Sequence, residues 1–446
     1  MTVTAYQLLS RFARPLVHAY LMWLGRKDPA YRRGIGERWG RGDYDSVTPG
    51  SIWIHAASVG EVRAAQPLID RLREDGLPLF ITTNTPTGRQ TAEDRYGSDI
   101  LVRFPPLDVP DAIERFLDKL RPSAALFVEL ELWPNRLIAL TRRNIPVALV
   151  NARLSQTSFR RYARFGRLMS QCLKGVVCIA AQTEADGERY RKMGVPHQRI
   201  YVTGNLKFDQ SIDGHQIRLG RVLRSQIGRD RPVWVAASLR QAEAPIVREA
   251  HELLRARYPN ALLIAVPRHP GQFMWPATEA PTQDSERSVR DRHILTVSEL
   301  RDDEPIAPLT RVVVADTYGE MIRFLSAADI AFVGGTLTPV GGHNPLEPAS
   351  LAKPILMGPH VTNFRQIDSF LEECGGRLRV HSATELADAL TSLFRDSHHL
   401  AEVGENARRL VEEHRGATER TVGALQGTLF ADQRSLTVLS GSPKTH

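Results

Sequence analysis

Cysteine is scarce: Cys172, Cys178 and Cys374 are the only three in 446 residues, and their wide spacing excludes both a disulfide framework and a cysteine metal cluster. That scarcity fits a reducing cytoplasm. Zinc-finger spacing and aromatic-basic RNA motifs are also missing. The excess of 58 Lys and Arg over 50 Asp and Glu, a net charge of +8, therefore points away from nucleic acid and toward an acidic substrate or an anionic membrane surface. The sequence contains no internal repeat. Its most membrane-like segment, residues 1–25, is broken by Arg11 and Arg14, which argues against both a spanning helix and a signal peptide.

Within that segment Leu9, Phe12, Ala13, Leu16, Val17, Tyr20, Leu21 and Leu24 recur at three- and four-residue steps, with Arg11, Arg14 and His18 on the other side. Arg26, Lys27, Arg32, Arg33, Arg38 and Arg41 follow. The pattern predicts an amphipathic helix, either packed on its domain or lying in the face of an anionic membrane.

Beyond it, apolar runs alternate with helical periodicity, the signature of α/β domains with parallel sheets. Runs are expected at residues 52–56, 77–82, 124–128, 147–150, 176–180 and 200–203, then at 233–237, 262–266, 312–315, 330–334 and 355–357. The polar stretch 209–216 reads as a linker. The resulting expectation is a membrane-associating segment 1–40, a Rossmann-like domain 41–208, the linker, a second Rossmann-like domain 217–431 and a disordered tail 432–446. Two doubly wound domains facing each other would put strand C-termini along one cleft.

The most informative stretch runs from Phe332 to Ala349, where an apolar strand meets two glycine pairs and then Asn344-Pro345, an N-cap followed by proline at the first helical position. Free backbone N–H groups and a helix start suit a phosphate or carboxylate. The loop lacks the Lys-Ser/Thr ending of a triphosphatase P-loop, so a nucleotide-sugar site fits better. Glu347 reads as a capping-box acid or an acceptor for ribose hydroxyls.

In the first half, Ile52 to Glu61 predicts strand, tight turn and helix. Glu61 either complements the helix dipole or serves as a general base. Ser58 lacks the glycine that opens a nucleophile elbow. Glu129 and Glu131, at a strand end, are candidates for substrate orientation, helix capping or a divalent metal. Lys207 lies beside the linker, where its charge could stabilise a departing phosphate. Pro267-Arg268-His269-Pro270 exposes two donors on a rigid loop, and Gly319 in Tyr318-Gly319-Glu320-Met321 permits close backbone approach.

The ordered set HAASVGE from His55, ITTNTPTG from Ile81, ELELWPN from Glu129, NARLS from Asn151, GNLKFD from Gly204, PRHP from Pro267, YGEM from Tyr318, GGTLTPVGGHNPLEPA from Gly334 and MGPHVTNF from Met357 resembles the 3-deoxy-D-manno-octulosonic acid (Kdo) transferases of lipopolysaccharide synthesis. The resemblance spans about residues 15–425. It implies a GT-B fold, CMP-Kdo as donor substrate with no cofactor, a lipid A precursor as acceptor, and metal-independent inversion at the cytoplasmic face of the inner membrane. By motif, Glu61 is implied as proton acceptor, and Glu131 and Lys207 as transition-state stabilisers. Arg268, His269, Gly319, Glu320, Met321, Asn344, Pro345, Leu346 and Glu347 match the CMP-binding segments. The chain departs from the family pattern at Ser238-Leu239-Arg240-Gln241-Ala242 and in its arginine-interrupted N-terminus. A UDP-sugar transferase and an inactive nucleotide-binding membrane adaptor are the alternatives, separated by which nucleotide is released.

Overall fold

The computed structural model describes residues 1–276, 293–300 and 304–429. The chain divides into two compact units, one formed by Met1–Gln210 with the described residues from His414 onward, the other by Ser211–Glu413.

The first unit is built on β1 (Ile52–His55), β2 (Leu79–Thr82), β3 (Leu101–Arg103), β4 (Ala124–Val128), β5 (Val147–Ala152), β6 (Val176–Ala181) and β7 (Ile200–Val202). They form a parallel sheet in the order β3-β2-β1-β4-β5-β6-β7. β1 and β4 are fully buried, as strands covered on both faces must be, which is why they read as continuous apolar runs. The strand order reverses between β1 and β4, and loops leaving the C-terminal ends of such neighbours diverge, leaving room for a ligand. Glu61 follows β1, and Glu129 and Glu131 follow β4.

The second unit repeats the plan with β8 (Val233–Leu239), β9 (Leu262–Pro267), β10 (Ile294–Thr296), β11 (Val312–Val314), β12 (Ile330–Val333), β13 (Ile355–Met357) and β14 (Arg377–Arg379). Its order is β10-β11-β9-β8-β12-β13-β14, again parallel. The reversal falls between β8 and β12, the strands that precede Arg240 and the glycine-rich loop.

Several expectations need correction. β3, β10 and β14 have no counterpart among the expected runs: each is three residues long, and in β14 a buried Arg377 paired with Asp368 replaces the apolar signal. The N-terminal pattern forms two helices, Val3–Phe12 and Arg14–Lys27, because Pro15 has no N–H to continue the first. The stretch 209–216 is only partly linker, since Asp213 caps a helix beginning at Gly214. The C-terminal helix Ala417–Thr428 belongs to the first unit rather than to a domain ending at 431. Asp209 accepts the N–H groups of Gly416 (2.7 Å) and Thr418 (2.5 Å), and Ala417, Val422 and Leu425 pack in one core with Ile52, Ile54 and Leu206. The expected tail 432–446 lies outside the described residues.

Candidate active site

In the first unit the chain leaves β1 through Ala56, Ala57 and Ser58 into the helix Val59–Glu74. Ser58 caps that helix, and the Glu61 carboxylate reaches back to accept the Ala57 N–H at 2.7 Å and the Ser58 hydroxyl at 3.3 Å. Glu61 thus takes the helix-start role expected of an acid in a first turn. Burial raises the Glu61 pKa to about 7; the Ala57 N–H opposes the rise, and the charges of Glu129 and Glu131 add to it. A carboxylate poised there holds or releases a proton near neutral pH, as a general base must.

The two acids after β4 take different partners, because the strand ends at Val128 and alternation stops with it. Glu129 turns the chain with φ 59°, a left-handed conformation uncommon for a non-glycine residue. Its carboxylate lies 3.4 Å from Lys207 Nζ. Glu131 instead accepts from His55 Nε2 at 3.2 Å and from the Trp133 indole. His55 is wholly buried, and burial together with nearby Arg136 lowers its pKa, keeping the ring neutral. The Trp53 indole donates to the Thr82 hydroxyl (2.8 Å), which can in turn donate to His55 Nδ1 (2.9 Å), a nitrogen that also lies 3.2 Å from the Thr82 carbonyl. A single ring proton goes where it gains most, on Nε2 against the Glu131 carboxylate. Burial acts to raise the Glu131 pKa, but His55, Arg136 and Trp133 outweigh it and hold the group below the ordinary carboxylate value.

Lys207 sits in the short turn Leu206–Asp209, which is fixed from β5: Asn151, at φ 51°, accepts the Leu206 N–H at 3.0 Å. The structure thus gathers Glu61, Glu129, Glu131 and Lys207 at the strand ends of one unit. His55 and Arg136 escaped the sequence reading, since a buried histidine or arginine in an apolar run looks like an interruption until its partner is known. No group of three or more His, Cys, Asp or Glu side chains able to hold a metal ion occurs among the described residues.

In the second unit the glycine-rich loop is held by a residue that sequence reasoning missed. Glu243, completely buried, accepts the N–H groups of Gly335 (2.7 Å), Leu337 (2.9 Å) and Arg240 (3.2 Å). Its only signal was its place four residues past the strand end Leu239. Thr336 ties the same loop to β13 by accepting the Gly358 N–H at 2.8 Å. At Gly335, with φ 71°, a Cβ would come within 2.9 Å of the His343 ring, so glycine is required both by conformation and by space.

His343 lies among Arg240, Arg268 and His269. Burial first, then these positive neighbours, push its pKa down to about 4. Arg240 and Arg268 concentrate positive charge beside the loop, suiting an anionic ligand, while the two histidines are pushed toward their neutral forms. Asn344 accepts the Leu346 N–H at 3.1 Å and donates to Glu347 at 3.3 Å. The helix begins at Leu346 and spans only Leu346–Ser350, so Pro345 occupies the cap position instead of the first helical one, and little helix dipole is available. Gly319 adopts φ 80°, Glu320 pairs with Arg323 at 2.6 Å, and Met321 opens the helix Met321–Ala327.

On the outside of the first unit, the N-terminal helices turn a mixed face inward, with Leu21 buried. Arg14 and Arg11 pair with Asp111, and Val3 and Tyr6 pack on the core, while Leu9, Phe12 (79% exposed), Leu16 (73%), Tyr20 and Trp23 face out. The helices Gln156–Ala163 and Gly166–Leu173 add Arg160, Arg161, Arg164 and Arg167, all exposed and without an acidic partner among the described residues. No described helix is long and apolar enough to cross a membrane.

With this geometry established, comparison with known proteins is decisive. The family described as 3-Deoxy-D-manno-octulosonic-acid transferase (kdotransferase) matches residues 33–210. The 3-deoxy-D-manno-octulosonic acid transferase of Haemophilus influenzae is 36% identical over 425 residues, covering 94% of this chain and 97% of that protein. The chain belongs to the Kdo transferase family. The Bordetella pertussis Kdo transferase is 34% identical over 441 residues, covering 95% of this chain and 99% of that protein. A UDP-GlcNAc 2-epimerase from Neisseria meningitidis, solved bound to UDP-GlcNAc, shares the fold with a TM-score of 0.53 at 14% identity, covering 84% of this chain and all of that one. This Kdo transferase is thus a glycosyltransferase of the GT-B class with two parallel-sheet units.

Proposed function

We propose that the chain moves Kdo from CMP-Kdo to a lipid A precursor by single displacement, with Glu61 as the base. The observation that carries this is the Glu61 carboxylate at the head of its helix, half-buried with its pKa raised to about 7. A sugar hydroxyl of the acceptor gives its proton to Glu61 as its oxygen attacks the anomeric carbon. The bond to the phosphate oxygen breaks, CMP departs with the electron pair, and the configuration inverts. Glu131, oriented by His55, and Lys207 stabilise the charge that develops. In the second unit Arg268 and His269, the Gly319–Met321 turn and Asn344–Glu347 take the nucleotide. CMP carries one phosphate rather than a pyrophosphate, so the arginines around His343 can offset its charge without a metal. Mass spectrometry of the product from purified enzyme, CMP-Kdo and lipid A precursor, with and without EDTA, tests the reading. Lipid A precursor carrying Kdo should form equally in both; no product, or turnover restored only by Mg²⁺ or Mn²⁺, refutes it.

Arg268→Ala is expected to weaken CMP binding about 10- to 150-fold, the worth of one charge-assisted hydrogen bond at roughly 1.5 to 3 kcal/mol, with acceptor KM unchanged. Calorimetric titration of CMP measures it. Unchanged affinity would move the nucleotide site elsewhere.

The outward apolar stripe and the unpaired arginines support a location on the anionic cytoplasmic face of the inner membrane. Replacing the exposed Phe12 and Leu16 by serine removes two anchors worth about 1.5 to 3 kcal/mol each, so partitioning into anionic vesicles should fall at least a hundredfold. Raising salt should weaken wild-type binding without abolishing it, because the stripe is not screened. Flotation of the doubly substituted protein at wild-type levels would contradict this.

A further inference from the structure

The loop that carries Glu131 is followed at once by the helix Pro134–Arg142, which has no capping side chain of its own. The missing cap comes from far away in sequence. Asp108 accepts the N–H groups of Asn135 (3.2 Å) and Arg136 (2.9 Å) through its carboxylate, and its backbone carbonyl accepts the Asn135 side-chain amide at 2.7 Å. Asp108 is itself held by the first helix: the Tyr6 hydroxyl donates to it at 2.8 Å. One turn on, Ser10 accepts from Asn135 Nδ2 at 3.0 Å. Arg136 then extends into the protein, where its guanidinium donates to the Pro106 carbonyl at 3.1 Å and lies 6.0 Å from the Trp133 ring. That indole in turn donates to Glu131.

We infer that Asp108, anchored by Tyr6, is a positioning residue for Glu131, so that the outward-facing amphipathic helix is also part of the support of the catalytic loop. The helix thus places two half-buried polar side chains, Tyr6 and Ser10, on the residues that cap and begin the helix after the Glu131 loop. Tyr6 and Ser10 grip the start of the Pro134–Arg142 helix from outside. Trp133, just before that start, donates to the carboxylate, and Arg136, just after it, attracts it electrostatically. A shift of the helix therefore moves Glu131.

The inference rests on the role given to Glu131 above, and the test separates the two. Turnover is measured in detergent micelles, where membrane partitioning does not limit the rate, for Tyr6→Phe, Glu131→Gln and the double variant of the full chain. Tyr6→Phe keeps the ring in its packing and removes one hydrogen bond. It should lower kcat about three- to tenfold with the KM for CMP-Kdo unchanged, and this loss should disappear in the Glu131→Gln background. Ser10→Ala should act in the same direction and serves if Tyr6→Phe proves unstable. If Glu131→Gln leaves kcat untouched, the role of Glu131 is wrong. If Glu131→Gln lowers kcat but Tyr6→Phe does not, or lowers it equally in both backgrounds, the positioning role is overturned.

Discussion

Glu61→Gln is expected to lower kcat by about 10²- to 10⁴-fold while leaving CMP affinity and folding intact. An amide keeps the size of the side chain and can still accept the Ala57 N–H, but it cannot take a proton from the acceptor hydroxyl. The pH dependence gives a sharper readout than the loss alone. With the Glu61 pKa raised to about 7, wild-type kcat/KM should fall about tenfold per unit below that value and level off above it. The residual activity of Glu61→Gln should not show that step. Stability should move the other way. The folded value lies above the ordinary 4.5, so the native state holds this proton longer than the unfolded chain does. The contribution of Glu61 to stability is therefore full at low pH and is lost as pH rises through about 7, where Glu61→Gln should melt no lower than wild type. A variant keeping a third of wild-type turnover would remove Glu61 from the chemistry.

Glu243→Ala should have the largest effect on stability of any single change near the donor site. It strips a fully buried carboxylate from three backbone N–H groups, two of them in the glycine-rich loop. Each donor left unpaired in a dry interior costs about 1 to 3 kcal/mol, so a loss of at least about 3 kcal/mol is expected. That is a large fraction of the 5 to 15 kcal/mol typical of a folded protein. The loop would lose its shape with its acceptor, and CMP binding should weaken by more than tenfold in whatever protein remains folded. Glu243→Gln, with one oxygen left for the loop, should fall between the two. Thermal unfolding followed by calorimetric titration checks both effects. An unchanged melting temperature in the alanine variant would mean that the loop finds other partners for these groups.

Local order explains what was legible from residues alone. Ile52 to Glu61 reads as strand, turn and helix because each part has its own signal within ten residues: a mostly apolar run, a serine cap, an acid in the first turn. The same holds for the strand and glycines from Ile330 to Gly335. Glu131 and Arg268 could be singled out because charged residues soon after buried strands stand out against their surroundings, Glu61 because it falls in the first turn of a helix, and Lys207 because it lies beside the linker. The N-terminal stripe was legible for the same reason, its period being carried by neighbours along the chain. Pro15 broke it into two helices for a local reason too, which the periodicity of apolar residues does not record.

Partners distant in sequence were beyond that reach. His55 meets Glu131 across 76 positions, and Glu243 meets Gly335 across 92. Asp108 caps a helix 27 residues away and is shared with Tyr6, and Asp209 caps the helix at Ala417, which joins the first unit after the chain has built the second. Nothing in the residues around any of these acids names its acceptor or donor. The amino-acid sequence by itself determined the alternation of strands and helices, the family and the residues poised at strand ends, because period and turn chemistry act over a few residues. Only the tertiary structure decided which buried charges face one another, how far their pKa values move and which unit owns the last helix. Those follow from burial and hydrogen-bond pairing, which exist only once separate segments have packed together.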